Sequence, residues 1–380
     1  MLYSSQIAIV GNTWFPTRPG GLDRYVYELI QALTAAEGRV DLYGIGLPQA
    51  EETAGLCLKN LATPEMSFWQ RLWSARHHSR SLRHTRADAI NLHFALYGFA
   101  ALPHLPPNVP VTCTFHGPWA LESQKEGENG FKVWLKQQME QRVYRRCDRF
   151  IVLSKAFGTI LHQEYGVDWD KIHIIPGGVD TQRFQPSHSR QQAREALGWP
   201  GDRFILFTPR RLVHRMGLDV LLQAIAQLES EDIWLAIAGK GALREALEAQ
   251  ATALGLGERV KFLGFVPDGE LSIAYQAADL AIMPSQSLEG FGLVLLEALA
   301  SGTPALCTPV GGMPEVIRPF SPELVAQSPS AEAIAATLNG VLSGRIALPE
   351  RSVCRDYAVT HFSWPTIAGR VQQVLLEGRS

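Results

Sequence analysis

Glu289-Gly290-Phe291-Gly292-Leu293-Val294-Leu295-Leu296-Glu297 is the sharpest signal in this 380-residue chain. Two carboxylates bracket a glycine turn and an apolar run with helical spacing. Upstream, Leu280–Met283 is a short apolar run of strand length, and Leu293–Ala300 reads as the helix that follows it. Downstream, Ala305–Cys307 reads as the next strand. Gly311-Gly312 then precedes a helix start at Met313-Pro314-Glu315-Val316-Ile317. Strand, glycine turn, helix and strand in close succession predict parallel βαβ units.

The same alternation extends in both directions. Before the segment, Phe204–Phe207, Ile233–Ala238 and Val260–Phe262 read as strands, and after it Leu324–Val325 does. A separate series near the N-terminus comprises Ile7–Val10, Val40–Tyr43, Ala89–His93, Val111–Phe115, Arg149–Leu153 and Lys171–Ile175, with helical patterns such as Leu22–Ala36 and Val133–Arg146 between them. The two series are separated by a polar, turn-rich stretch, Phe184-Gln185-Pro186-Ser187-His188-Ser189, which places a domain boundary near residues 180–186. In the tail, Pro365 fits the first turn of a last helix.

Composition excludes several classes. Hydrophobic residues make up 46% and charged residues 19%, and the formal net charge is -2, so nothing points to a nucleic-acid partner. Residues 1–180 carry 18 Lys/Arg against 17 Asp/Glu, so neither half is a polyelectrolyte. The five cysteines have no metal or disulfide spacing, which suits a reducing cytosol. The N-terminus lacks a signal-peptide pattern, and no apolar run is long enough to span a bilayer. These features predict a soluble or peripheral cytoplasmic protein.

Three glycine turns open helices: Gly20-Gly21, Gly290-Phe291-Gly292 and Gly311-Gly312. A glycine lets backbone N–H groups approach a ligand, and the helix N-terminus behind it carries about half a positive charge. Such parts hold a diphosphate without metal. Each turn alone reads more readily as a plain tight turn. None fits the dinucleotide pattern: Gly239-Lys240-Gly241 comes nearest, but Leu243-Arg244 follow where a third glycine is needed. No P-loop is present. Glu289, at a loop-to-helix junction, is suited to accept from a sugar hydroxyl. Glu297, inside an apolar helix, needs a partner, and a ribose hydroxyl would serve.

On these residues the chain resembles family 4 of the retaining glycosyltransferases, the two-domain GT-B type. The Glu-Gly-Phe-Gly-Leu-x-x-x-Glu form of the motif carries the resemblance. So do Ala298-Leu299-Ala300-Ser301-Gly302-Thr303-Pro304, Val310-Gly311-Gly312-Met313-Pro314-Glu315, Phe262–Asp268 and Pro209-Arg210-Arg211-Leu212-Val213. It covers nearly the whole chain, most strongly from Arg210 to Ile317 and most weakly between Cys57 and Ala87. It implies an α/β fold of two Rossmann-like domains facing across a cleft. Residues 1–182 would bind acceptor and residues 183–362 the nucleotide-sugar, with a C-terminal helix, 363–380, returning to the first domain.

The resemblance also implies roles. Glu289 would hold donor-sugar hydroxyls and Glu297 the ribose, and Arg211 would contact the phosphates. The family's second cation, a Lys, is replaced by Met216 here. Arg215 is the expected substitute and Arg210 the fallback. His116 would lie near the reacting sugar. Phe265 and Val266 would border the base, and Gly20, Gly21, Gly290, Phe291, Gly292 and Leu293 would line the donor. The implied reaction is metal-independent transfer with retention. It needs no cofactor, and UDP would remain as bound product. Asp168-Trp169-Asp170 has a metal-binding form but reads as a solvated turn.

The expected substrates are a hexose donor, UDP-glucose first and GDP-mannose second, and a saccharide or lipid-linked acceptor of envelope, exopolysaccharide or glycolipid synthesis. His93, Trp119 and Lys125 are acceptor-side candidates. Residues 66–86 hold five Arg and no acid, interleaved with Phe68, Trp69 and Trp73. They form either a helix lying on an anionic bilayer, a peripheral membrane contact, or an ordinary helix with Trp73 in the core. Rival functions are a UDP-sugar epimerase of the same architecture and a non-catalytic sugar-binding module.

Overall fold

The computed structural model describes residues 5–377 apart from Pro16 and Pro19. The chain divides into two compact units, Met1–Gly178 with Trp364–Ser380, and Val179–Ser363.

The first unit is built on strands β1 (Gln6–Thr13), β2 (Arg39–Ile45), β3 (Leu56–Ala62), β4 (Ala89–Leu92), β5 (Val111–Phe115), β6 (Arg149–Val152) and β7 (Ile172–Ile174). They pair in the order β3-β2-β1-β4-β5-β6-β7, all parallel. Its helices are α1 (Gly21–Ala35), α2 (Phe68–His78), α3 (Ala95–Ala101), α4 (Trp119–Lys125), α5 (Gly130–Arg146) and α6 (Lys155–Tyr165). Parallel strands covered on both faces must be apolar throughout, and β4 and β5 are buried along their whole length. Residues of α2, α3, α5 and α6 join Ala8, Val10, Tyr43 and Leu92 of the sheet in one core cluster.

The sequence pattern misses β3. Lys59 and Asn60 interrupt its apolar alternation, and both find partners at the sheet edge. Lys59 Nζ donates to Asp41 Oδ2 at 2.8 Å, and Asn60 bonds both the N–H and the carbonyl of Leu47.

The second unit begins with α7 (Arg190–Leu197), followed by β8 (Phe204–Pro209), α8 (Leu218–Ala226), β9 (Ile233–Ala238), α9 (Arg244–Ala253), β10 (Val260–Gly264) and α10 (Asp268–Ala277). It continues with β11 (Leu280–Met283), α11 (Leu293–Ala300), β12 (Ala305–Cys307), α12 (Met313–Ile317), α13 (Ala331–Leu342) and α14 (Arg351–Phe362). The sheet order is β10-β9-β8-β11-β12, again all parallel. Leu206, Leu235, Ile237, Leu280, Ile282 and Leu306 are buried at its centre. Burying each such side chain contributes about 1.5–3 kcal/mol. The expected strand Leu324–Val325 does not form: Pro322–Leu324 is a 3-10 turn, and Val325 makes a single bridge to Cys307.

The last helix, α15 (Trp364–Leu376), has Pro365 in its first turn and packs on α1 and β4 of the first unit. The Trp364 indole donates to the Glu28 carboxylate. Among the described residues, no helix is long and apolar enough to cross a membrane.

Each sheet reverses its winding once, between β1 and β4 in the first unit and between β8 and β11 in the second. The loops leaving the carboxyl ends of such strand pairs diverge and leave a crevice, the common ligand position of open parallel sheets.

Candidate functional site

The second unit's crevice is charged. Arg210, directly after β8, is buried, and its Nη2 lies 2.9 Å from Glu289 Oε2 and 2.7 Å from Ser285 Oγ. Ser285 Oγ also lies 3.3 Å from Glu289 Oε2. Thr308, after β12, fixes the Ser285 carbonyl through a 2.6 Å bond. Loops from three strands therefore converge on Glu289. Losing one partner of such a covered ion pair costs about 3–5 kcal/mol, because the other is left buried and unpaired.

The backbone around Glu289 is equally constrained. Leu288 sits at φ 50°, a region that costs a residue with a side chain roughly 1–3 kcal/mol. Arg215 holds it there, with Nη1 donating to the Leu288 carbonyl at 3.1 Å. Gln286 N–H in turn donates to the Arg215 carbonyl at 2.8 Å. Gly311 lies at φ +58°, and a Cβ there would sit 1.8 Å from the Glu289 carbonyl oxygen. That carbonyl accepts from Gly312 N–H at 3.0 Å. The Gly311-Gly312 turn thus seats the Glu289 loop. It opens a helix of only five residues, so its dipole is weak.

Gly290, Gly292 and Leu293 follow Glu289 into α11, with Gly292 as N-cap. Phe291 turns inward, buried against Phe362 at 6.0 Å between rings, so its backbone rather than its ring is available to a ligand. Glu297 lies in the buried part of α11, and Tyr275 O–H donates to its Oε2 at 3.0 Å. The partner demanded by burial is supplied at least in part by α10. Met216 points into the core, whereas Arg211 is exposed. Phe265, 51% exposed after β10, is covered on one face by the Lys240 ammonium 5.4 Å from its centroid, and Val266 beside it is half-buried.

The first unit's crevice is neutral and aromatic. His93, after β4, is buried, and its Nδ1 lies 2.9 Å from Nε2 of His116, after β5. Burial depresses both imidazoles, His93 well below its ordinary value and His116 to about 3. Both rings are therefore neutral at physiological pH. The Tyr25 ring meets His116 edge-on at 4.9 Å and Trp364 at 5.1 Å.

Gly20 and Gly21 begin α1 here. Gly20 is extended, and a Cβ at Gly21 would meet nothing within 4 Å. Asp23, in the same first turn, accepts from Thr13 N–H at 2.7 Å. Burial raises its pKa. A carboxylate in that first turn makes the α1 N-terminus a poor anion seat.

Trp119 and Lys125 lie on α4. The N–H groups of Trp119 and Ala120 donate to the Glu140 carboxylate of α5 at 2.8 and 3.3 Å. Glu140 is fully buried, and desolvation pushes it up to about 7 despite those bonds. Lys136 lies over the Trp119 ring. Asp168 and Asp170 are exposed in a 3-10 turn.

Ser285, Tyr275, Lys240, Asp23, Tyr25 and Glu140 escaped the sequence reading. Lys240 had a signal, since it lies between two glycines at a strand end. Ser285 meets Arg210, Tyr275 meets Glu297, Asp23 meets Thr13 and Glu140 meets Trp119 across 10 to 75 residues, and Tyr25 makes ring contacts with His93, His116 and Trp364, none of which a local pattern encodes.

Residues 19–183 match the family model "Glycosyltransferase Family 4", and residues 189–360 match "Glycosyl transferases group 1". The chain is 31% identical over 322 residues to the D-inositol 3-phosphate glycosyltransferase of Arthrobacter sp. (strain FB24), covering 78% of this chain and 76% of that one. It spans only 55–63% of the length of three other curated relatives of that description. Among solved structures, sucrose-phosphate synthase from Thermosynechococcus elongatus superposes with TM-score 0.81 at 24% identity, covering 97% of this chain and 98% of that one. Anabaena HepE in complex with UDP and glucose gives 0.78 at 19%, covering 98% and 99%. These likenesses share the GT-B fold.

Proposed function

We propose that this protein, which belongs to glycosyltransferase family 4, moves a hexose from a nucleotide-sugar to a saccharide or lipid-linked acceptor with retention of configuration. The observation that carries this reading is the Arg210–Glu289–Ser285 cluster at the β8/β11 crevice. It presents a fixed carboxylate beside the α11 N-terminus, with Arg211 and Arg215 on the loop leaving β8 and Lys240 on the loop leaving the neighbouring β9. A carboxylate fixed this way discriminates hydroxyls sharply, since a missing partner leaves it desolvated and unpaired.

In this reading Glu289 accepts from donor-sugar hydroxyls and Glu297 from the ribose. Arg211, Arg215 and the α11 N-terminus stabilise charge as it develops on the diphosphate, which is preorganised electrostatic catalysis. Glu289 is engaged by Arg210 and Ser285, which suits a hydroxyl acceptor better than a covalent nucleophile. The departing phosphate takes the acceptor proton. Phe265 offers an exposed ring to the base. No metal or cofactor is required, and UDP is the expected product.

His116 serves as a neutral hydrogen-bonding group. Placing the shared proton on His93 Nδ1 leaves a lone pair rather than an N–H at the buried, unpartnered His93 Nε2. His116 then keeps its own proton on Nδ1, and His93 acts as its positioning residue. UDP-glucose is the proposed donor, GDP-mannose the second choice, and the cytoplasm the proposed compartment.

The test replaces Glu289 by Gln and measures transfer from each donor. The expected loss is about 10²–10³-fold with the fold retained. Unchanged transfer in a folded variant removes the assignment. Epimerised free sugar formed without acceptor would replace it with an epimerase.

A further inference from the structure

We propose that the exposed face of α2, with the basic turn that follows it, docks on an anionic lipid bilayer. Of the two readings of this helix, the one with Trp73 in the core is not what the structure holds: Trp73 is 74% exposed and Trp69 67% exposed. Phe68 packs edge-on against Trp69 at 5.1 Å, and His77 stacks on Trp73 at 6.3 Å. Spaced by four, Trp69, Trp73 and His77 form one stripe along the helix. They line an open groove with Met66 and Gln70.

The helix cannot roll to hide these rings. Its inward face is the small pair Ser74 and Ala75, both buried. Ser74 Oγ donates to the Leu61 carbonyl of β3 at 2.8 Å. A capping box between Ser67 and Gln70 fixes the first turn. The aromatic face is therefore outward by construction, opposite to an ordinary amphipathic helix.

Charge identifies the occupant. Residues 66–86 carry five Arg and no acid. Arg76, Arg80, Arg83 and Arg86 are exposed, and Glu65 is the one acid immediately before the segment. Indoles at the depth of lipid headgroups, with guanidinium groups on phosphates beside them, match this composition. A protein surface without a matching acidic cluster would leave these cations unpaired. An 11-residue helix is too short to span a bilayer, so it lies in the plane of the surface. The proposal does not depend on the transfer reaction.

The test is flotation of the full chain with vesicles of phosphatidylcholine alone and with about 30 mol % phosphatidylglycerol. Binding is expected to the anionic vesicles only, and it weakens in about 0.5 M NaCl. The double variant R76Q/R80Q is expected to bind roughly thirty-fold more weakly at low salt. W69S/W73S is expected to lose most binding at either salt, with thermal melting as the control for folding. Should the tryptophan variant melt early, the arginine pair carries the test alone. Absence of binding, equal binding to both vesicle types, or binding unchanged in folded variants overturns the proposal. So does a concentration-dependent dimer that the tryptophan variant abolishes.

Discussion

The two crevices occupy equivalent places in two parallel sheets, yet they are built from opposite chemistry. At β8/β11 a covered ion pair, a strained Leu288 and a glycine seated under a carbonyl lock the Glu289 loop. At β1/β4 two neutral imidazoles and a tyrosine ring meet, and at Gly21 of the adjoining turn a Cβ would meet nothing within 4 Å. The contrast puts charged, locked groups at the second unit's crevice and neutral, buried rings at the first's. It also separates glycines that the backbone demands from glycines that merely leave space.

Paired alanine substitutions sharpen that difference most strongly. At Gly311 a Cβ meets the Glu289 carbonyl oxygen at 1.8 Å, so the Glu289 loop must move. Gly311→Ala is expected to cost about 2–4 kcal/mol in urea unfolding, together with most transfer activity. Gly21→Ala is expected to change stability by no more than about 0.5 kcal/mol, because nothing lies within 4 Å. Activity lost in Gly21→Ala with stability intact would show that a ligand approaches that turn.

Acid titration is the next largest expected effect. His93 and His116 are held neutral by burial, whereas the unfolded chain protonates its histidines near 6.5. A depressed folded value means that the unfolded state binds more protons below that pH. Stability should therefore fall as pH drops below about 6.5. Replacing both residues, His93→Phe with His116→Asn, is expected to flatten the melting temperature between pH 7 and 5. A slope identical to that of the unsubstituted protein would mean that the two rings are not buried neutral.

The smallest effect is expected at the rim of the second unit. Phe265 is half exposed and supports little packing. Phe265→Ala should leave melting unchanged and weaken nucleotide binding about fivefold or more, the loss of one base–ring stack. Calorimetric titration with the nucleoside diphosphate checks it.

What the sequence makes legible follows from how local each feature is. The βα alternation and the helices Leu293–Ala300 and Met313–Ile317 are contiguous patterns, and they appear in place. So does the requirement that Glu297 find a partner, because an eight-residue helix that is otherwise apolar has to be buried. That the partner is Tyr275, 22 residues away on α10, is not written locally. The same holds for Arg210, 79 residues from Glu289. The adjacent Arg211 has the same side chain but faces solvent, and only the end of β8 decides which of the two turns inward. Strand β3 was hidden because Lys59 and Asn60 are satisfied by neighbours rather than excluded from the sheet. Trp73 is the converse case: its hydrophobicity is compatible with the core or with an exposed face, and the small residues Ser74 and Ala75 occupy the inward side.

The most direct measurement compares two ligands on two proteins by calorimetric titration: UDP and UDP-glucose, and GDP and GDP-mannose as the second pair, on the unsubstituted chain and on Glu289→Gln. If Glu289 reads the sugar, one nucleotide-sugar binds more tightly than its bare diphosphate, and Glu289→Gln erases that difference while sparing diphosphate affinity. If no pair binds, or the sugar's increment survives the substitution, the β8/β11 crevice does not recognise a nucleotide-sugar in the way described.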